Sequence, residues 1–312
     1  MIRLSEFELL TPRTVDEAVL ILKKNEDSLV VAGGTDLIPK MKRGQFGPRF
    51  LVSLSSIEDL DFILAEDEGL RIGSQTTLKA IEQAEAVGSF KSLREAVRQV
   101  ATPIIRNSAT LGGNLLQDTR CKYYDRSLFW RDAVGYCLKK SGTDCKVAPG
   151  SDKCYASLCS DLAPALIVLD AQVKLIGTDT RTIALEDLYR NDGMANLNLT
   201  GEILTEVIVP KHDYRSTYKK LRIRGGFDFP EVGVAVAVSD KGGTLRVNLA
   251  MSGVSSDIFT IKEQIDKAEV PSLIDRAYQA IKPMDTLFFP PAYRKKIAKN
   301  FLTKSFDELL AS

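Results

Sequence analysis

Histidine is almost missing from this chain of 312 residues: the one copy is His212, in VPKHDYR. That excludes an HExxH zinc site and any cage of several histidines. A Ser-His-Asp triad would have to use His212, which follows a proline-ended strand with no nucleophile motif nearby. It reads instead as a solvated loop residue. No apolar run approaches the roughly 20 residues that a membrane-spanning helix needs. The N-terminus, MIRLSEFELLTP, carries acidic residues and lacks the apolar centre of a secretory signal. Neither sign of charge is in excess. The formal net charge is +1, which gives no reason to expect nucleic acid or a membrane as partner. A cytoplasmic, reducing location is expected, where thiols stay free, bind metal or do redox chemistry. Cysteine is absent from most of the chain too: Cys121, Cys137, Cys145, Cys154 and Cys159 all fall in one stretch.

What is present reads as mixed α and β. TVDEAVLILKKN places Ala18, Val19, Ile21 and Leu22 on one helical stripe, with Thr14 as N-cap. SLVVAGGTDLIPKMKRG predicts a short strand, a glycine turn and a brief helical turn. RFLVSLSSI predicts another strand. LRIGSQTTLKAIEQAEAV predicts strand, turn and a helix from near Thr77. FKSLREAVRQVATPIIRN predicts a helix ending by Pro103. APALIVLDAQVKLIG fits a strand pair, or a short helix and then a strand. EILTEVIVP alternates as a half-buried strand does. STYKKLRIR and VGVAVAVSDKGGTLRVNLAMSGV predict an antiparallel meander turning at Lys241-Gly242-Gly243. The last fifty residues read as helical, broken at KPMDTLFFPP.

Two glycine pairs carry the first chemical signal. In VVAGGTDL, Gly33 and Gly34 follow a strand, and adjacent glycines can expose successive N–H groups as an anion nest. Thr35 adds a hydroxyl; Asp36 suits a cap or a ribose better than a phosphate. An ordinary tight turn would look the same, and the pattern is not GxGxxG. RNSATLGGNLL supplies a second pair, Gly112 and Gly113, between Thr110 and Asn114. Two such loops can clamp a dinucleotide pyrophosphate from both sides with backbone donors.

The cysteines follow as Cys-x15-Cys-x7-Cys-x8-Cys, with Cys159 close behind. Four thiolates are enough for an iron–sulfur cluster or a structural zinc. Zinc ribbons usually use C-x2-C pairs, and none occurs here. Long unequal gaps suit a loop wrapped around a larger object. Disulfides and free thiols stay open as alternatives. Tyr123, Tyr124, Phe129, Trp130 and Tyr136 could supply an apolar wall.

Taken in order, VVAGGTDL, ATPIIRNSATLGGNL, SDLAPALIVLDAQVKL and YKKLRIRGGFDFPEVGVAVAV resemble the motif series of the FAD-binding subunit of the molybdenum hydroxylases. The resemblance covers essentially the whole chain. It implies an α+β fold. A two-part N-terminal FAD-binding α/β domain would hold a small parallel sheet and a mixed sheet with helices. A C-terminal antiparallel three-stranded sheet would pack with helices. The divisions fall at 1–55, 56–212 with a cysteine-rich insertion at 117–158, and 213–312. The resemblance puts Ala32, Gly33, Gly34, Thr35 and Asp36 in one FAD loop, and Thr110, Leu111, Gly112, Gly113 and Asn114 in the other. It implies Asp161 as a flavin-side contact through ribose or adenine, and Lys220 near the isoalloxazine, with Lys219 the adjacent candidate. Leu29, Val100 and Leu204 are implied as apolar contacts, with Val30 and Val31 in the approach to the first loop.

Most members of the family lack the insertion, but 4-hydroxybenzoyl-CoA reductase is a type that has one, holding an extra [4Fe–4S] cluster. Carried over, this implies Cys121, Cys137, Cys145 and Cys154 as ligands, with Cys159 spare or exchanged with Cys154. No residue is assigned a catalytic role. The implied partners are a large molybdenum-cofactor subunit and a small [2Fe–2S] subunit in a dimer of heterotrimers, with ferredoxin as electron donor. Electrons would run from ferredoxin through the cluster and FAD to the [2Fe–2S] and molybdenum centres. Two rivals stand beside this reading. One is a flavin subunit working oxidatively with NAD or a quinone; the other is a flavin-free, zinc-stabilised docking scaffold.

Overall fold

The computed structural model describes residues 3–311, the side chain of Lys241 excepted. Three sheets follow one another along the chain. The first is parallel, in the order β1-β3-β2, from β1 (Glu8–Leu10), β2 (Ser28–Val31) and β3 (Phe50–Ser53). The helix Val15–Lys24 crosses between β1 and β2, capped by Thr14, whose hydroxyl accepts from the Glu17 amide. Its Ala18 and Val19 pack against Val52, Leu54 and Ile57.

The second sheet has five strands: β4 (Ile63–Glu66), β5 (Gly69–Gly73), β6 (Gln172–Ile176), β7 (Thr180–Ala184) and β8 (Ile203–Pro210), ordered β4-β5-β8-β6-β7. All its pairings are antiparallel, where a mixed sheet is expected from the sequence. Two hairpins, β4-β5 and β6-β7, are joined by long excursions, and β8 enters between them, antiparallel to both β5 and β6. The third sheet is the meander β9 (Arg215–Leu221), β10 (Val232–Lys241), β11 (Thr244–Ser252) and β12 (Phe259–Asp266). It has four strands rather than three. FTIKEQID pairs antiparallel with β11 along its length and forms one edge of the sheet.

Val232, Val234, Val236 and Val238 on one face of β10 pack with helices Val270–Ala280 and Pro291–Ala311. Ala235 and Ala237 on the other face join the main core around Leu162–Ile167, which is the helix of the APALIVLDAQ segment. Those small residues let this helix lie close on the sheet.

The insertion is folded, not trailing. Its strap is the break between the last two helices: the Lys122 amide donates to the Thr286 carbonyl at 2.6 Å, and the Ser157 and Thr286 hydroxyls pair at 2.7 Å. Buried Arg294 holds that strap by donating to the carbonyls of Phe289, Gly253 and Met284. His212 is half-buried rather than solvated. Its ring meets Phe90 edge-on at 5.3 Å, its Nδ1 accepts the Tyr214 amide, and burial lowers its pKa. The aromatic packing fixes it there as a structural residue.

Candidate functional site

The two glycine segments come together. A Cβ on Gly33 would lie 1.6 Å from the Ser108 carbonyl oxygen, so only glycine lets the first loop touch the approach to the second. Gly34 has φ +69°, which turns the chain into the helix Leu37–Lys42. The second pair differs from the expected open nest. Gly112 and Gly113 form the first turn of the helix Leu111–Leu115, capped by Thr110. Their amides are already donated, Gly112 to the Ser74 carbonyl at 2.8 Å and Gly113 to the Thr110 hydroxyl at 3.1 Å. Here glycine serves close approach: a Cβ on Gly112 would meet Ser74 at 3.0 Å.

Between the segments opens a cleft of about 460 Å³. Leu29, Val30, Ala32, Gly33, Gly34, Thr35 and Asp36 line one side, and Thr110, Gly112, Gly113 and Leu204 others. A second cavity of about 210 Å³ adjoins it, sharing Thr35, Asp36, Gly113 and Gln117. That cavity takes in Val100, Asn114 and Asp161. Asp161 thus stands apart from Leu29 and Leu204. Its carboxylate binds Lys220 at 2.9 Å and the Tyr218 hydroxyl at 2.7 Å, all buried. Burial pushes its pKa up while Lys220 and Tyr218 pull against that. Lys220 also donates to the Gln99 carbonyl and lies behind the cavity wall. Lys219 turns to Glu308 instead. Val31 and Leu111 line neither cavity; Leu111 is wholly core.

Four cysteines converge on a small void. Cys121, Cys137, Cys145 and Cys154 line it with Tyr123, Tyr124 and Tyr155. Phe129, 83% exposed, and Tyr136 are not part of that wall, because the helix Leu128–Ala133 carries this side of the insertion outward. Cys159 lies outside the void, fully buried, its thiol directed at the Ser157 carbonyl, and burial pushes its pKa up to about 12. No disulfide joins any of the five. Three of the four sit at turns: the Cys121 carbonyl accepts from the Tyr124 and Asp125 amides, that of Cys137 from Lys140 and Gly142, and that of Cys145 from Ala148. Burial pushes Cys121 up to about 12 and raises Cys154. Among the described residues, no three His, Cys, Asp or Glu side chains are gathered to hold one metal ion. The donor set around the void is all thiol.

Void and cleft are neighbours. Gly193 donates to the Cys154 carbonyl at 2.8 Å, and a Cβ there would meet the Cys154 sulfur, while Met194, Asn196 and Leu197 of the same loop line the cleft. An ionic network runs alongside. Lys139 lines the void and reaches Asp118, which lines the cleft. Fully buried Lys40 donates to Asp118 at 2.7 Å, and Arg120 pairs with Asp36. The Tyr124 ring centre is 4.8 Å from both lysine nitrogens. Burial pushes the Asp118 carboxyl up, but Lys139 and Lys40 outweigh it and hold the pKa at about 2. Arg120 also stacks on Phe229 at 3.8 Å. The motifs hold Asp36 and Phe229 but do not signal their partners, which come from distant positions along the chain.

Residues 5–212 match the family of FAD-binding domains in molybdopterin dehydrogenases. The chain belongs to that family. It is 34% identical over 268 residues to the FAD-binding subunit of an aldehyde oxidoreductase from Escherichia coli, covering 78% of this chain and 79% of that one. It is 26% identical to the carbon monoxide dehydrogenase medium chain of Afipia carboxidovorans, over 98% of this chain and 97% of the other. The solved carbon monoxide dehydrogenase of Hydrogenophaga pseudoflava has the same fold, with a TM-score of 0.78, 22% identity and 99% of each chain covered. This chain is therefore an FAD-binding oxidoreductase subunit of the molybdenum hydroxylase family.

Proposed function

We propose that this chain is the electron-transfer flavoprotein subunit of a molybdenum enzyme and that it carries a [4Fe–4S] cluster besides FAD. The observation that carries the reading is the sorting of the thiols. Cys121, Cys137, Cys145 and Cys154 line one void, Cys159 does not, and a single loop separates that void from the cleft. FAD exchanges one or two electrons, and so joins single-electron carriers to a two-electron reaction. The chain's own residues would hold it: the loop at Ala32–Asp36 and the turn at Thr110–Asn114 flank its pyrophosphate, Leu29, Val30 and Leu204 supply apolar wall, and Val100, Asp161 and, behind it, Lys220 shape the second cavity. The four thiols would hold the cluster, with Tyr123, Tyr124 and Tyr155 excluding water.

The family is organised around partner chains, and relatives named as FAD-binding subunits or medium chains support the same role here. We place this chain with a large molybdenum-cofactor subunit and a small [2Fe–2S] subunit, as a dimer of heterotrimers in the cytoplasm, with ferredoxin as donor. Among the described residues no helix is long and apolar enough to cross a membrane. The reaction assigned to the assembly is reductive dehydroxylation: 4-hydroxybenzoyl-CoA takes two electrons and two protons and yields benzoyl-CoA and water. The division into 1–55, 56–212 with the insertion at 117–158, and 213–312 belongs to the same proposal and follows the three sheets.

One rival has a specific observation behind it. The identity of 34% to an aldehyde oxidoreductase subunit favours oxidative work with NAD or a quinone as acceptor. The test is iron, sulfide, zinc and flavin content of protein purified without oxygen, with visible spectra before and after dithionite. About four irons and one FAD per chain support the proposal. FAD with neither iron nor zinc leaves an ordinary flavin subunit. Zinc without flavin sinks the redox reading. Cys137→Ser should lose iron and keep FAD, whereas Cys159→Ser should keep both.

A further inference from the structure

Two buried polar side chains face the larger cleft with nothing to bond. Ser74 is 2% exposed and its Oγ has no partner; Asn196 is 6% exposed and its Nδ2 has none. An unsatisfied buried polar atom costs about 1–3 kcal/mol, so such atoms are rare without a reason. Both backbones are fixed. The Ser74 amide donates to Thr205 at 2.9 Å, and its carbonyl accepts from Gly112 at 2.8 Å. The Asn196 carbonyl accepts from Arg190 at 2.8 Å, and its loop is anchored through Gly193 to Cys154. The rest of the cleft wall beside them is largely apolar, with Leu54, Leu197, Leu199 and Ile203. A few fixed polar groups on an apolar wall are what orients a ligand in a pocket.

We propose that Ser74 Oγ and Asn196 Nδ2 hydrogen-bond the bound flavin nucleotide directly, adding two contacts to those of the glycine segments. Asn196 donates, so it meets an acceptor on the nucleotide: a phosphate oxygen, a ribose oxygen or a ring carbonyl. Ser74 can donate or accept there. This rests on the reading that the cleft takes FAD. It has a signature that a structural role lacks. Neither atom bonds another protein group, so deleting either should cost the empty protein little while weakening the loaded one.

The experiment titrates FAD into flavin-stripped full-length chain by fluorescence quenching, for wild type, Ser74→Ala, Asn196→Leu and Asn196→Ala. The same four proteins are melted without flavin. Each variant should bind FAD about ten-fold more weakly, the loss of one hydrogen bond. The flavin-free Tm should stay level or rise for Ser74→Ala and Asn196→Leu. Asn196→Ala separates lost bonding from any clash of the leucine side chain. Unchanged FAD affinity across the variants overturns the inference, and so does a flavin-free Tm that falls in step with affinity. Wild-type chain that binds no FAD at all overturns the flavin reading beneath it.

Discussion

Gly33 shows how a single hydrogen atom in place of a side chain sets the site. Its neighbour Gly34 is there for its left-handed φ of +69°, but Gly33 is there for contact, with the Ser108 carbonyl where a Cβ would be. Gly33→Ala must push the two glycine segments apart. We expect a loss of about 3 kcal/mol, at the upper end for overpacking a tight site, together with loss of FAD retention. Urea melts and flavin content after gel filtration check this; an alanine variant with normal stability and full flavin would refute it. The pair of glycines is legible in the sequence, and so is their nearness to a ligand. Which glycine serves a turn and which a contact is not, because the contact is with a residue far along the chain. The same limit hides Ser74 and Asn196, whose significance lies in having no partner in space. Cys159 is the opposite case: it is a cysteine of the same stretch, buried like the other four, and only its place outside the void separates it.

At the scale of elements, the segment from Gln117 to Asp125 joins the cleft to the insertion through charge. Asp118 takes Lys40 on one side and Lys139 on the other. Its folded pKa of about 2 lies below its ordinary value of 3.8. A depressed carboxyl adds stability that is fully present above the unfolded value. That stability is lost as pH falls through the folded value, here between about 4 and 2, and amounts to about 2 kcal/mol. Asp118→Asn should cost about 3 kcal/mol at pH 7, because it leaves two buried ammonium groups short of a partner. The gap to wild type should narrow as pH falls from 4 toward 2. Chemical melts at several pH values measure it, and a gap that is constant with pH would show that Asp118 does not titrate as argued. Strand and helix periodicity reveals the elements around this network but not the network. The five-stranded sheet eludes the sequence for a related reason: β4 and β7 are short and exposed and give little alternation to read. The break at KPMDTLFFPP is visible as a break, while its role as the strap across the insertion depends on Thr286 meeting Lys122 and Ser157.

For the whole molecule, the near-neutral charge conceals an uneven distribution. The insertion carries Arg120, Lys122, Arg126, Arg131, Lys139, Lys140, Lys146 and Lys153, of which Arg120 and Arg131 are buried. Leu128, Phe129 and Phe288 stand exposed on the same part of the molecule, with Arg126 stacked on Trp130 and near Phe288. Lys139 is committed to Asp118, and Lys122 pairs with Asp285, so the positive groups left to meet a partner are chiefly Lys140, Lys146 and Lys153. The acidic ferredoxin of the proposed function would be steered to these lysines, of which Lys146 lines the cysteine void, and steering acts on the association rate more than on the final affinity. Reversing Lys140 and Lys153 to glutamate keeps clear of the four thiols themselves. In the anaerobic holoenzyme the second-order rate of reduction by ferredoxin should fall about ten-fold at low ionic strength, where the screening length is about 30 Å. Near 1 M salt, where that length is about 3 Å, variant and wild type should converge. Reduction by dithionite, a small reagent with no docking face, should be nearly unchanged. A ferredoxin rate that ignores both the substitutions and the salt would place the donor elsewhere, and reduction by NADH in its stead would move the electron entry from the insertion to the flavin.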